Sequence, residues 1–169
     1  MKNKIFKVYL NLKSFDDKEF KKLWDYVFDN ADCFSLRFPN REHATSNTMK
    51  LKYNNKGEPD EEFISYINKN QALICDCDRY VIKKYISNIY LDEKYGSLAQ
   101  IYYCKIFDRI KKMVYKHPNV CEWLEPDLPE DLSFHRNGEY FLYTCSHEDI
   151  CILYIDKSEQ EKLTAMGLI

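Results

Sequence analysis

A single α+β domain, with a mostly antiparallel sheet and helices packed on it, is the fold that this sequence predicts. Three observations lead there. The chain has 169 residues, the length of one domain, and a chain of that size buries roughly 70% of its unfolded surface. Strand-like and helix-like runs do not alternate regularly enough for a doubly wound parallel sheet. Asn137-Gly138 lies between two strand-like runs, where it supplies the positive φ angles of a two-residue type I′ hairpin turn.

Ile5 to Leu12 alternates, with Phe6, Val8 and Leu10 on one face, and predicts a first strand. Ser14 precedes Phe15-Asp16-Asp17 and reads as the start of a helix running to about Asn30, with acids where the helix dipole favours them. Phe20, Leu23, Trp24, Val27 and Phe28 give that helix one apolar face. Cys33 to Phe38 predicts a second strand, residues 41–47 a loop, and Thr48 to Tyr53 a further alternating strand before the turn at 54–57. Pro59 opens another helix, with Phe63, Tyr66 and Ile67 inward. Residues 71–117 read as mainly helical: a short helix through Tyr80, Val81, Tyr85 and Ile89, then a longer one from Leu98 to Met113 that stops before Pro118. The last third returns to strands, at Leu132 to Arg136, Glu139 to Cys145 and Ile150 to Ile155, with His147-Glu148-Asp149 as the second turn. Ser158, three positions before Glu161, predicts a capped closing helix to Met166. No internal repeat, low-complexity tract or linker is visible.

The composition excludes several classes. Four glycines leave little room for loops that cradle phosphates. Lysines and asparagines interrupt every apolar run of Met1 to Leu12, and no run approaches the roughly 20 residues that span a bilayer. A cytoplasmic protein without membrane association is therefore expected. Seven cysteines, an odd number without an export signal, argue against a disulfide framework. They read as small buried hydrophobes.

Charge is the most distinctive global feature. The chain carries −2 overall, yet residues 79–117 hold 9 basic and 3 acidic side chains, and residues 118–169 hold 3 and 11. Within the acidic third, Glu122, Glu125, Asp127, Glu130 and Asp131 place five carboxyls in ten residues, interleaved with Trp123, Leu124 and Leu128 and stiffened by Pro126 and Pro129. Such a segment binds with little ordering cost, and an indole beside carboxylates is a favoured interface anchor. Complementary charge would speed its encounter with a basic partner. The competing reading is a solvated connection whose Trp123, Leu124 and Leu128 plug the core.

Other clusters carry weaker chemistry. Cys75-x-Cys77 lacks the close second pair that structural zinc requires; Cys104, His117 and Cys121 do not form one. His135, Cys145, His147 and Glu148 are the candidates for a small enzyme's acid–base or nucleophilic site. Adjacent residues on an extended chain diverge, however, and nothing supplies an oxyanion hole. Lys105, Arg109, Lys112 and Lys116 recur at helical spacing and would offer a phosphate-binding stripe. A sequence pI near 6.1 makes a solvated face the better reading. Nucleotide, hydrolase and metalloprotease signatures are missing, and no cofactor or metal is expected.

Trp123-Leu124-Glu125-Pro126-Asp127-Leu128-Pro129-Glu130-Asp131-Leu132, followed by the hairpin and Ser146-His147-Glu148, resembles the ends of small bacterial proteins that include toxin-immunity proteins. The resemblance spans residues 121–149. It implies a cytoplasmic protein that blocks a secreted antibacterial toxin by occupying its active site or an essential surface. A basic toxin domain is the expected partner. Glu122, Trp123, Glu125, Asp127, Glu130 and Asp131 are the expected contact residues.

Overall fold

The computed structural model describes residues 4–39, 61–88, 98–124 and 127–169. These residues form a seven-stranded antiparallel sheet with four α-helices, in a single α+β fold. In chain order the elements are β1 (Phe6–Tyr9), α1 (Asp17–Asn30), β2 (Cys33–Pro39), α2 (Glu61–Tyr80), β3 (Val81–Asn88), β4 (Leu98–Lys105), α3 (Asp108–Lys116), β5 (Glu130–Arg136), β6 (Glu139–Cys145), β7 (Ile150–Ile155) and α4 (Lys157–Ala165). Across the sheet the order is β1-β7-β6-β5-β2-β4-β3. The expected strand at 48–53 and its neighbouring loop and turn lie outside the described residues, as do the side chains of Phe63, Tyr66 and Ile67.

Two helix starts, those of α1 and α4, are set by aspartates. Asp16, not Ser14, caps α1: its carboxylate accepts from the Lys18 and Glu19 amides, and Glu19 returns a bond to the Asp16 amide. Asp156, not Ser158, does the same for α4 with Glu159. In each case the aspartate stands three residues before a glutamate, so the reciprocal box closes two residues away from the predicted serine. The hairpin turn is as expected, with Asn137 at φ 53° and Gly138 at φ 81°.

The helical reading of residues 71–117 is corrected. Residues 81–88 and 98–105 are two strands paired to each other, and β4 also pairs with β2. Their apolar residues fit a 3.6-residue period by spacing alone. Val81, Ile82, Tyr85 and Ile86 in one run and Ile101, Tyr102 and Tyr103 in the other are β-branched or aromatic, types that a pleated surface accommodates better than a helix. Lys105 thus belongs to a strand, and only Arg109, Lys112 and Lys116 share α3.

One face of the sheet carries the core. Phe34, Leu36 and Phe38 of β2, Leu132 and Phe134 of β5, Phe141 and Leu142 of β6, and Cys104 of β4 are buried there. Trp24 and Phe28 of α1 pack on Phe134, Tyr26 on Phe141, and Phe107 at the start of α3 on Phe34. α2 joins the same layer through buried Leu73 and Cys77. The Cys77 carbonyl accepts from the Cys104 thiol. α4 joins through Leu163 and through Glu159, which holds Tyr26 and Arg136. All the cysteines are free. No helix among the described residues is long and apolar enough to cross a membrane.

Candidate binding site

Because side chains alternate along a strand, the residues between the core positions line the opposite face of the sheet. No described helix covers it. Ser35 and Arg37 come from β2, Ser133 and His135 from β5, Tyr140 and Tyr143 from β6, Ile101 and Tyr103 from β4, and Tyr85 from β3. Register brings Ser35 opposite both Tyr103 and Ser133, so these side chains meet at the middle of the sheet.

Five rings run across this face in contact. Tyr85 stacks on Tyr103 with centroids 6.2 Å apart. Tyr103 lies 4.6 Å from His135, His135 4.8 Å from Tyr140, and Tyr140 meets Tyr143 edge-on at 5.2 Å. His135, 2% exposed, is wedged between two tyrosines, and its Nε2 bonds the Ser35 hydroxyl at 2.8 Å. Burial lowers the His135 pKa to about 4, so the imidazole is neutral at physiological pH. Burial likewise raises the pKa of Tyr103, Tyr140 and Tyr143, the last to about 12. The rings are uncharged π surfaces.

Tyr85, Tyr103, Tyr140 and Tyr143 also line a concavity of about 180 Å³. Arg37, Asp131, Ser133 and Thr144 are also in its wall. A bulge shapes this edge: Ser35 pairs with Ser133 but Arg37 with Glu130, leaving Asp131 and Leu132 opposite Leu36. Asp131 takes the left-handed conformation, φ 54°, which aspartate tolerates better than most residues. Its carboxylate accepts from the Ser146 amide, and its own amide donates to the Ser146 hydroxyl. The bulge turns Glu130 onto Arg37, with Nη1 to Oε2 at 3.0 Å. Asp131 lies 3.6 Å from the same guanidinium, and His147 Nε2 lies 3.1 Å from Glu130.

The expected acidic contact surface is divided by the fold. Glu122 is exposed and accepts from the Asn119 side-chain amide. It lines a separate hollow of about 510 Å³ with Lys13, Lys116 and His117. Asp127 is exposed and pairs with Lys69 at 2.6 Å. Glu125 lies outside the described residues. Glu130 is 4% exposed and turned onto Arg37, and Asp131 is half-buried in the bulge.

Trp123 is fully buried, which corrects its reading as an outward anchor. Its indole N–H donates to the His117 carbonyl at 2.8 Å, while that of Trp24 donates to the neighbouring Pro118 carbonyl at 3.0 Å. Two satisfied indoles thereby clamp the chain leaving α3, the arrangement in which a tryptophan can be sealed without an orphaned donor.

The enzyme candidates do not assemble. His135 and His147 bond different partners, Ser35 and Glu130. Burial pushes the Cys145 thiol up, away from the thiolate a nucleophile needs. Glu148 is exposed in the 3-10 turn Ser146–Glu148. Cys75 and Cys77 stand two apart on a helix, one exposed and one buried, so they diverge. No group of three metal-ligating side chains occurs among the described residues. On the basic stripe, Arg109 is held by Asp76 at 2.6 Å, and Lys105, Lys112 and Lys116 are exposed.

The ring ladder was missed because Tyr85 and Tyr103 fall in segments read as helix. Tyr140 and Tyr143, three apart, share a face only because Phe141 is an extra residue where β6 meets β5. The signal that could have found them is the β-branched and aromatic content of residues 81–88 and 98–105. Comparison of the chain with protein-family models, curated proteins and solved structures finds no match.

Proposed function

We propose that this protein is a protein-binding module that neutralises a cognate antibacterial toxin by covering its active site or an essential surface. The observation that carries the binding half is the sheet face that no described helix covers, with a ladder of four tyrosines and a histidine across its middle. Tyrosine offers a large, rigid, amphipathic contact area at low conformational-entropy cost, and it is over-represented among the residues that dominate interface energies. Secured on four strands of one sheet, these rings are ordered before a partner arrives, which reduces the cost of association.

The toxin half rests on the resemblance of residues 121–149 and on charge. Nuclease-type toxins hold phosphates in basic clefts, and residues 118–169 carry a large acidic excess. Glu122 and Asp127, both exposed, would add long-range attraction that raises the association rate. Those carboxylates would steer, while the tyrosine face would dock.

The test is to express the chain with the protein encoded beside it and analyse the mixture by size-exclusion chromatography and a toxicity assay. A co-eluting complex and rescued growth are expected, with Tyr140→Ala and Tyr143→Ala each weakening the complex about tenfold or more. Separate elution with no rescue would overturn the proposal.

A further inference from the structure

We infer that the concavity between Tyr85, Tyr103, Tyr140 and Tyr143 is an aromatic cage that receives an arginine or lysine side chain of the protein partner, with Asp131 as its counter-ion. This inference rests on the proposed protein-binding role and names what the sheet face recognises.

A cation is attracted to the negative face of an aromatic ring within about 6 Å of its centroid, and several rings around one space multiply the effect. Here four tyrosines from three strands line a single hollow of about 180 Å³, a volume suited to one side-chain head rather than a large ligand. The face already makes such a contact at its rim, where Lys83 Nζ lies 5.0 Å from the Tyr85 centroid.

The charges in the wall favour a cation over an anion. Arg37 also lines the hollow, but Glu130 holds it at 3.0 Å and Asp131 stands 3.6 Å away. Both carboxylates thus face the one guanidinium in the wall, and Asp131, which itself lines the hollow, is the one beside the tyrosines. His135, neutral by burial, adds no charge. The Asp131 carboxylate contributes to raising the pKa of both Tyr140 and Tyr143, which places its field among the cage rings. An anionic occupant would meet that field and an arginine already held by carboxylates. A cationic one gains from both the rings and the carboxylate.

The probes are N-acetyl-arginine amide and its uncharged isostere N-acetyl-citrulline amide, titrated into the intact protein and followed by two-dimensional NMR of backbone amides and tyrosine rings. Saturable shifts centred on Tyr85, Tyr103, Tyr140 and Tyr143 are expected with the arginine probe, with the citrulline probe at least tenfold weaker. Asp131→Asn preserves the left-handed backbone and the bond to the Ser146 amide, and is expected to weaken the arginine probe about fivefold. Tyr140→Leu is expected to abolish saturation. Should Tyr140→Leu not fold, the probe pair and Asp131→Asn still decide.

Equal binding of the two probes, or shifts scattered away from the tyrosines, would overturn the cage. Millimolar arginine amide is further expected to displace the neighbour-encoded partner, which a cage for a free small cation would not require. A partner complex that survives with no probe binding sinks only the cage. Probe binding with no partner complex sinks only the toxin-neutralising role.

Discussion

The two faces of the sheet are built from the same strands, and one-residue steps decide which chemistry each presents. Along β2, Phe34, Leu36 and Phe38 enter the core, while Ser35 and Arg37 face away. Along β5, Leu132 and Phe134 go inward, and Ser133 and His135 outward. The covered face uses phenylalanine, leucine and tryptophan, which need no polar partner or find one in a nearby carbonyl. The open face uses tyrosine, histidine and serine, whose polar atoms bond one another or meet water. The difference teaches that burial alone does not mark the core here. His135, Arg37 and Glu130 are as buried as many core residues, yet they sit on the face that no described helix covers, sealed by neighbouring rings and by one another.

The strongest way to break this contrast is through the clamp on the covered side. Trp123→Ala is expected to cost about 3–5 kcal/mol, because it empties a fully buried site and removes a donor from the His117 carbonyl. Urea denaturation monitored by circular dichroism would measure it. A loss below about 1 kcal/mol would mean that the indole is not core and would restore its candidacy as a docking anchor. On the open side, Glu130→Gln removes the carboxylate charge facing Arg37. Breaking a buried ion pair from one side costs about 3–5 kcal/mol, since the surviving charge stays in a poorly solvated place. Part of that is offset here by Asp131, so a value at the low end is expected. The double replacement Arg37→Met with Glu130→Leu should recover most of the loss. Failure to recover would show that the pair does more than neutralise itself.

The sequence disclosed the fold class, the first helix, the tail hairpin and the last strand, because each has a strong local signature: a helical apolar stripe in 17–30, Asn-Gly at 137–138, and unbroken apolar residues in 150–155. It failed where local and long-range preferences conflict. Val81 to Asn88 and Leu98 to Lys105 have spacings compatible with a helix, and their β structure is settled by pairing with each other and with β2, which no local window contains. The candidate site inherited that failure. Tyr85 and Tyr103 come from those strands, and Tyr140 and Tyr143 need the bulge at Phe141 to share a face. The acidic segment was legible as charge but not as geometry. Nothing in Glu130-Asp131 announces that a left-handed aspartate will turn its neighbour onto Arg37.

Acid should separate the two faces by pH. On the open face, burial lowers His135 from its ordinary 6.5 to about 4. The unfolded chain therefore binds a proton between those values that the native state refuses, and stability falls as pH drops from about 6.5 to about 4. The size is on the order of 3 kcal/mol. On the helix face, Glu159 lies at about 2 rather than 4.5. Burial alone would raise it, but the Arg136 guanidinium, the Asp156 amide and the Tyr26 hydroxyl together outweigh burial. Its contribution is present above pH 4.5 and is lost as pH falls toward 2. Two successive losses are thus expected in a stability–pH curve. His135→Gln should flatten the upper one and leave the lower, whereas Arg136→Met should shrink the lower. A curve still sloping between pH 6.5 and 4 in the His135 variant would assign that slope elsewhere.

The smallest effect is the most informative about function. Tyr140 is 44% exposed and touches His135 and Tyr143, so Tyr140→Ala gives up two ring contacts and part of a half-buried surface. A loss of about 1 kcal/mol is expected, against about 3–5 kcal/mol for Phe134→Ala, one residue before Tyr140's neighbour His135 on β5. If the two variants lose stability equally, the open face is a second core that some other segment covers, and the tyrosines are packing. If Tyr140→Ala costs little in stability yet weakens partner binding tenfold, the ring is held at the surface for an occupant that the isolated chain does not supply. Only that second outcome is consistent with a docking face, because a residue kept for packing cannot lose more in a complex than it loses in the fold.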